Sequence, residues 1–449
     1  MESTTRQQSN YPCIDQSNAI WDRATKIIPA GTQTLAKGPT QWIGGVAPKY
    51  LKRAKGCHVW DVDGNEYIDL TMAIGPISLG YGYPAVDDAI RDQLNDGITF
   101  TLMHPLEVEV AELITDIIPG AEMVRFSKTG CDVTSAAVRL ARAFTGRSDV
   151  LCCGYHGWHD WYISVTDRSL GIPDQVSKLT YTFDYNDLDS LVAVLDGDVA
   201  AVILEPTVFE APKPGFLEGL RAACKEHGAL LIFDEMWTGF RLALGGAQEA
   251  FGVSADLVCF SKAIANGMPL SALTGRADVM SLLEKDVFFF TTFGGEALSL
   301  AAAKATLLEM QSRPVLQHMA KQGRKLREGY EVIARDVGMR FTSCQGYDAR
   351  SIVLFDPTKV DPLLAKSFVQ QEMLTHGVLW GGFHNLSYSH ADMDVKIVLD
   401  AYREILPRLN ELVRSGNLST ALRGDPVLPA FRKTANFHTR RRSTFEQSA

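Results

Sequence analysis

The sequence predicts an α/β fold, with a large, mostly parallel sheet domain and a smaller α+β domain. Three observations predict it. Residues 200–204 (AAVIL), 229–233 (ALLIF) and 257–260 (LVCF) are short, uniformly apolar runs, as expected of strands buried on both faces of a parallel sheet. Between the first two, residues 216–227 show helical periodicity over the length of a βαβ crossover. Finally, strand and helix patterns alternate from about 85 to 312, as in an open α/β layer.

Along the chain, an N-terminal helix is expected over residues 20–28, followed by an irregular stretch rich in glycine and proline. At 56–69, two alternating runs flank Asp63-Gly64-Asn65, a hairpin turn signal. After 312 the pattern becomes a helix at 315–336, short strands at 350–355 and 377–380, and a helix at 391–412. The expected boundaries are 1–60 for an N-terminal part of the small domain and 61–312 for the large domain. The C-terminal part of the small domain is expected at 313–415, with a flexible polar tail at 416–449. No internal repeat is visible.

Composition limits the function classes. The chain has 449 residues, 46% hydrophobic and 22% charged, with room for a large core and more than one domain. A formal charge of −9 and a pI near 5.6 argue against a nucleic-acid or anionic-membrane surface. The one basic cluster, Arg440-Arg441-Arg442, falls in the polar tail and reads as a solvated end. No apolar run approaches the roughly 18 residues of a membrane helix, and the first residues lack the apolar core of a secretory signal. Eight cysteines are scattered without ligand spacing, so a reducing cytoplasm is expected and a metal is not.

Each apolar run ends in chemically mismatched residues: Glu205-Pro206, Asp234-Glu235 and Ser261-Lys262. Ligands of such sheets bind outside the carboxyl ends of the strands, so Asp234 and Lys262 can share a crevice. Taken singly, Lys262 would be a surface lysine and Asp234 a helix cap. Together they suit pyridoxal phosphate. A desolvated amine can hold the aldehyde as a Schiff base, and an anion can pair with the ring nitrogen. A phosphate needs backbone N–H donors at a helix start. The strand 124–127, the turn 128–131 and the helix 132–144 offer Thr129 and the amides of Gly130 and Cys131. Tyr155, in Tyr155-His156-Gly157-Trp158-His159, reads either as a ring that stacks on a cofactor or as core packing. The nearby histidines lack a third ligand at metal spacing.

With these residues in view, the chain resembles the class III (fold type I) pyridoxal-phosphate aminotransferases, and most of all their glutamate-1-semialdehyde aminomutase branch. The motifs are WDVDGNEYIDL (60–70), RLARAFTGR (139–147), YHGWHD (155–160), ILEP (203–206), LLIFDEMWTGFR (230–241) and FSKAIANGMPL (260–270), in the family's order. The resemblance implies that Lys262 forms the Schiff base and that Asp234 pairs with the ring nitrogen. Met236 and Tyr155 would pack on the two ring faces. Glu205 joins the cofactor site, and Thr129, Gly130 and Cys131 bind the phosphate. Thr292 matches a threonine that reaches the partner's phosphate, which implies a homodimer with shared active sites.

The chain departs from the family at several places. Cys131 replaces a usual threonine or serine, Gly295-Glu296-Ala297 a usual Gly-Asn-Pro, and Ala265-Asn266 a usual Gly-Gly. On the substrate side Glu210 matches a family glutamate, but its arginine partner is missing from Phe383 to His390. The aminomutases' N-terminal arginine is matched only by Lys37, and lysine is no equivalent for bidentate carboxylate binding. His384 and Asn385 are therefore candidates for reading hydroxyls of a polar acceptor. The expected activity is transfer of an amino group from glutamate or another amino acid to a ketone or aldehyde, through a Lys262 imine and pyridoxamine phosphate. The alternatives are intramolecular transfer of the glutamate-1-semialdehyde 2,1-aminomutase type and, remotely, a non-catalytic pyridoxal-phosphate-binding protein.

Overall fold

The computed structural model describes residues 11–429, which form two compact units. One comprises residues 11–83 and 317–429, and the other residues 84–316. Both chain ends thus build the first unit, as expected. The division falls at 83/84 and 316/317, whereas the sequence suggested 60/61 and 312/313. Residues 61–83 join the first unit because the strand at 66–69 pairs there in parallel with one at 378–379.

In chain order the strands are β1 (Leu51–Lys55), β2 (His58–Asp61), β3 (Glu66–Asp69), β4 (Met123–Ser127), β5 (Asp149–Cys153), β6 (Thr180–Thr182), β7 (Val199–Leu204), β8 (Leu230–Asp234), β9 (Leu257–Phe260), β10 (Ser271–Gly275), β11 (Thr342–Tyr347), β12 (Arg350–Phe355), β13 (Val378–Leu379) and β14 (Phe383–Asn385). The second unit holds a seven-stranded sheet in the order β4-β10-β9-β8-β7-β5-β6. Every residue of β7, β8 and β9 is buried, which explains the unbroken apolar runs. The crossover from β7 to β8 is the helix Phe216–His227, stopped by Gly228 at φ 67°. β10 runs antiparallel to both β4 and β9.

This register aligns one edge of the sheet. Ser127 pairs with Ser271, Phe260 with Ala272, Asp234 with Cys259, Leu204 with Phe233, and Cys153 with Leu204. The carboxyl ends of β4, β5, β7, β8 and β9 therefore lie along the same edge.

The helix Gly130–Thr145 leaves that edge directly after β4. It starts where Asp132 accepts hydrogen bonds from the Thr129 N–H and the Ser127 hydroxyl, both at 2.8 Å. Burial pushes the Asp132 carboxyl up, but these bonds outweigh it and hold its pKa below the usual range. Val133, Ala136, Ala137, Leu140 and Ala141 then pack on sheet residues such as Val150, Ile203 and Cys259. Fully burying a valine or leucine in this way stabilises by roughly 1.5–3 kcal/mol.

In the first unit, the β2–β3 turn is tied by Asp61, which accepts from the Asp63 and Asn65 N–H groups and from the Tyr67 hydroxyl. Residues 416–429, expected to be flexible, pack instead. Val427 is buried and its N–H donates to the Ser367 hydroxyl, while the Gly44 N–H donates to the Asp425 carbonyl. The rest of the expected tail, with Arg440-Arg441-Arg442, lies outside the described residues.

His384 and His390 are buried in this unit, and burial lowers their pKa values to about 3 and about 4. The unfolded chain binds protons below about pH 6.5 that the folded unit refuses, so stability rises with pH and is lost as pH falls below that value. Each histidine is expected to cost about 2 kcal/mol of stability between pH 7 and 5. Denaturant unfolding of wild type and His384→Asn at both pH values checks this, and the variant should lose less on acidification.

Candidate active site

The aligned sheet edge brings the singled-out residues of the second unit to one side. Asp234 is the last residue of β8 and is almost fully buried. Its Oδ2 lies 2.9 Å from His156 Nδ1, and its Oδ1 accepts the Met236 N–H at 3.1 Å. A carboxylate taken this far from water is costly unless its oxygens find donors, and here each has one. His156 is itself buried, stacks on Trp161 at 6.0 Å, and has no hydrogen-bond partner at Nε2 among the described residues.

Lys262 follows the end of β9 by two residues. Its φ is 50°, in the left-handed region that a long side chain rarely adopts. Such strain is held by surrounding structure and gathers at functional positions. The flanks are fixed on both sides: the Ser261 hydroxyl donates to the Leu270 carbonyl, and Ala263, Ile264 and Ala265 are buried. Lys262 Nζ lies 3.7 Å from the centroid of the Trp237 indole ring, a cation–π contact. Trp237 is three residues past Asp234, so one loop reaches both the buried carboxylate and the amine.

The turn 128–131 packs tightly around this edge. A Cβ on Gly130 would sit 2.8 Å from Met236 Sδ, and one on Gly157 would sit 2.4 Å from Cys131 Cβ. Glycine is therefore required at 157, by close approach and by φ 106°, whereas at 130 a side chain would displace the flexible end of Met236. Thr129 Oγ1 and Cys131 Sγ are 3.1 Å apart. Glu205, just past β7, is buried and accepts the Tyr155 N–H at 3.0 Å. The Tyr155 ring meets Tyr162 edge-on at 5.6 Å. Lys128 forms an ion pair of 2.9 Å with Glu296, which also caps the helix Ala297–Ser312. Thr292, four residues before that pair's carboxylate, is exposed.

This donor set fits pyridoxal phosphate. It offers an amine and an enclosed carboxylate at the ends of adjacent strands, and free N–H groups at the start of a helix. His156 adds a polar group to the same edge through its Nδ1 contact with Asp234.

The substrate candidates are not gathered in the same way. Glu210 is exposed in the second unit, where its carboxylate accepts from Asn186 Nδ2 at 2.8 Å. Lys37 is exposed on a short 3₁₀ turn of the first unit. His384 must be corrected. It is wholly buried, with Nδ1 2.9 Å from the Ser351 hydroxyl and Nε2 2.8 Å from the Tyr402 hydroxyl, so both ring nitrogens are used within the core. Asn385 is equally buried and donates to the Thr71 carbonyl at 2.9 Å. Neither side chain is presented to solvent.

Sequence reasoning missed His156 and Trp237. The signal for His156 was its place beside Tyr155 after an apolar run, but nothing local ties it to an acid 78 residues away. Trp237 was quoted within LLIFDEMWTGFR without a role.

The aminotransferase class-III family profile matches residues 44–389. The 3-aminobutyryl-CoA aminotransferase of Cloacimonas acidaminovorans (strain Evry) is 34% identical over 414 residues, covering 89% of this chain and 99% of the relative. A glutamate-1-semialdehyde 2,1-aminomutase of Syntrophobacter fumaroxidans is 35% identical over 429 residues, covering 89% and 99%. Among solved structures, the PLP internal aldimine form of the Sphingopyxis sp. MTA144 FumI protein superposes with a TM-score of 0.83. It is 30% identical and covers 92% of this chain and 98% of its own. The chain thus belongs to the class III aminotransferases, pyridoxal-phosphate enzymes that move amino groups.

Proposed function

We propose that Lys262 is the residue that binds the coenzyme and that the chain is a transaminase working in two half-reactions. The observation that supports this most is the pairing at the sheet edge of a strained lysine with an enclosed aspartate, each at the end of a neighbouring strand.

When bound, pyridoxal phosphate supplies a carbonyl that accepts an amino group and a ring that takes up electrons. The chain's residues do the rest. The amides of Gly130 and Cys131, with Thr129, bind the phosphate at the positive end of the helix Gly130–Thr145. Asp234, held by His156 and the Met236 amide, would pair with the ring nitrogen. Met236 and Tyr155 would flank the ring, and Glu205 holds the Tyr155 backbone in place. Lys262 Nζ would hold the coenzyme and, when free, would move a proton as general base and acid. The Trp237 face holds that amine while it is a cation.

The donor is an amino acid, glutamate first among those to test, and the acceptor is a ketone or aldehyde. Glu210 and Lys37, both exposed, are the candidate substrate contacts. A second reading rests on the 35% identical relative named glutamate-1-semialdehyde 2,1-aminomutase, in which transfer is intramolecular. We place the enzyme in the cytoplasm, because all eight cysteines are unpaired thiols. We also infer a homodimer. Phe288, Phe290 and Phe293 are exposed large apolar side chains surrounding Thr292, and a second copy is the natural cover for such a patch.

Two measurements check these proposals. Coenzyme-loaded protein is mixed with single amino acids, then with carbonyl acceptors, while its visible absorbance is followed. A transaminase loses the lysine-bound band with a donor and regains it with an acceptor. Conversion of glutamate 1-semialdehyde with no donor supports the aminomutase instead. Lys262→Ala should show no lysine-bound band and at least ~10²-fold lower turnover, and an unimpaired variant refutes the role of Lys262. Separately, Phe290→Asp should shift the protein toward monomer in sedimentation and weaken coenzyme binding. An unchanged mass would contradict the inferred interface.

A further inference from the structure

A second cluster of chemically active side chains lies in the first unit and takes no part in amino transfer. Cys57 Sγ is 3.4 Å from Asp394 Oδ2, and His58 Nε2 is 3.1 Å from Asp394 Oδ1. The three ligand atoms all lie within 4.8 Å of one another. Around a tetrahedral zinc ion, with bonds of about 2.3 Å to sulfur and about 2.0–2.1 Å to nitrogen and oxygen, neighbouring ligand atoms fall roughly 3.3–3.5 Å apart. The thiol and the imidazole each approach one oxygen of the same carboxylate at close to that spacing, and the three ligand atoms are close enough together for a modest side-chain adjustment to bring them around one ion.

The surroundings point the same way. Glu66 Oε1 lies 2.9 Å from His58 Nδ1. A carboxylate in that position fixes the proton on Nδ1 and aims the Nε2 lone pair at Asp394, the arrangement that orients metal-ligating histidines. The ring thus sits between two carboxylates, Glu66 on one side and Asp394 on the other. Asp394 keeps its Oδ2 bond from the Ala391 N–H at 2.7 Å, so it is held in place by the start of the helix Asp392–Ser415. Cys57 and Asp394 are buried while the His58 side chain is one-third exposed at 33%, which leaves one open side for an ion and a water to enter.

We propose that Cys57, His58 and Asp394 bind a thiophilic divalent cation of the zinc class, with Glu66 orienting His58 and a water as fourth ligand. Binding forms metal–sulfur, metal–nitrogen and metal–oxygen bonds and releases the Cys57 thiol proton to solvent, while neutral His58 offers its Nε2 lone pair. No electrons are transferred. Burial and the Asp394 charge push the Cys57 thiol well above its usual range, so without the metal it stays a neutral thiol. The ion would clip the β1–β3 hairpin to the C-terminal helix Asp392–Ser415 and stabilise the first unit by mass action. A second triple, Cys131, Asp132 and His159, has similar spacing, but Cys131 and Asp132 belong to the turn and helix start assigned above to the coenzyme phosphate.

The test uses the full-length, coenzyme-loaded protein, stripped with a chelator and dialysed against zinc chloride, with bound metal counted per chain. One zinc is expected per chain. Cys57→Ser and His58→Gln should each weaken binding at least ~10-fold, and Glu66→Gln by ~10-fold or more, while aminotransferase activity stays unchanged. Zinc should also raise the unfolding temperature of wild type but not of Cys57→Ser. Zinc uptake equal in wild type and the Cys57→Ser/His58→Gln double variant would place the ion elsewhere and overturn the proposal. No uptake by wild type would overturn it too.

Discussion

A carboxyl group enclosed at the end of a buried strand is the constraint around which the second unit is arranged. Asp234 has almost no contact with water, and an unpaired charge there would cost several kcal/mol. The structure meets this cost locally. His156 covers Oδ2 and the Met236 amide covers Oδ1. His156 is carried by the loop after β5, so that loop must fold over the end of β8. Gly157 in the same loop then rests on Cys131, which seats the turn 128–131. One buried acid thus links three strand ends: β5 through His156, β8 through itself, and β4 through the loop contact.

The lysine side of the edge is arranged differently. Its backbone is strained, since φ at Lys262 is 50°, and the flanking residues are locked by burial and by the Ser261 bond to Leu270. A residue held this way costs on the order of 1–3 kcal/mol, which the packing of Ala263 to Ala265 must offset. The indole of Trp237 gives the amine a defined resting place. The acid and the amine thus stand at the ends of adjacent strands on the same aligned edge.

Much of this was legible in the sequence, because burial on both faces of a parallel strand leaves no polar alternation. The runs ending at Leu204, Phe233 and Phe260 coincide with β7, β8 and β9, and the helix Phe216–His227 was read to the residue. Asp234 and Lys262 stood out because charged residues end those apolar runs. What depended on long-range partners did not show. The insertion of β10 between β4 and β9 is a pairing between residues some 145 positions apart, such as Ser271 and Ser127. His384 read as a polar pocket residue because its partners, Ser351 and Tyr402, lie on other elements. The same separation hid the cluster of Cys57 and His58 with Asp394, which lies 337 and 336 residues from them.

The most direct test of the account is chemical. Coenzyme-loaded protein is reduced with borohydride, digested and mapped by mass spectrometry, which fixes the cofactor to whichever lysine holds it. The account predicts a single pyridoxyl adduct on the peptide containing Lys262, and its absence in Lys262→Ala. An adduct on any other lysine, or none in protein that has bound the coenzyme, would contradict it.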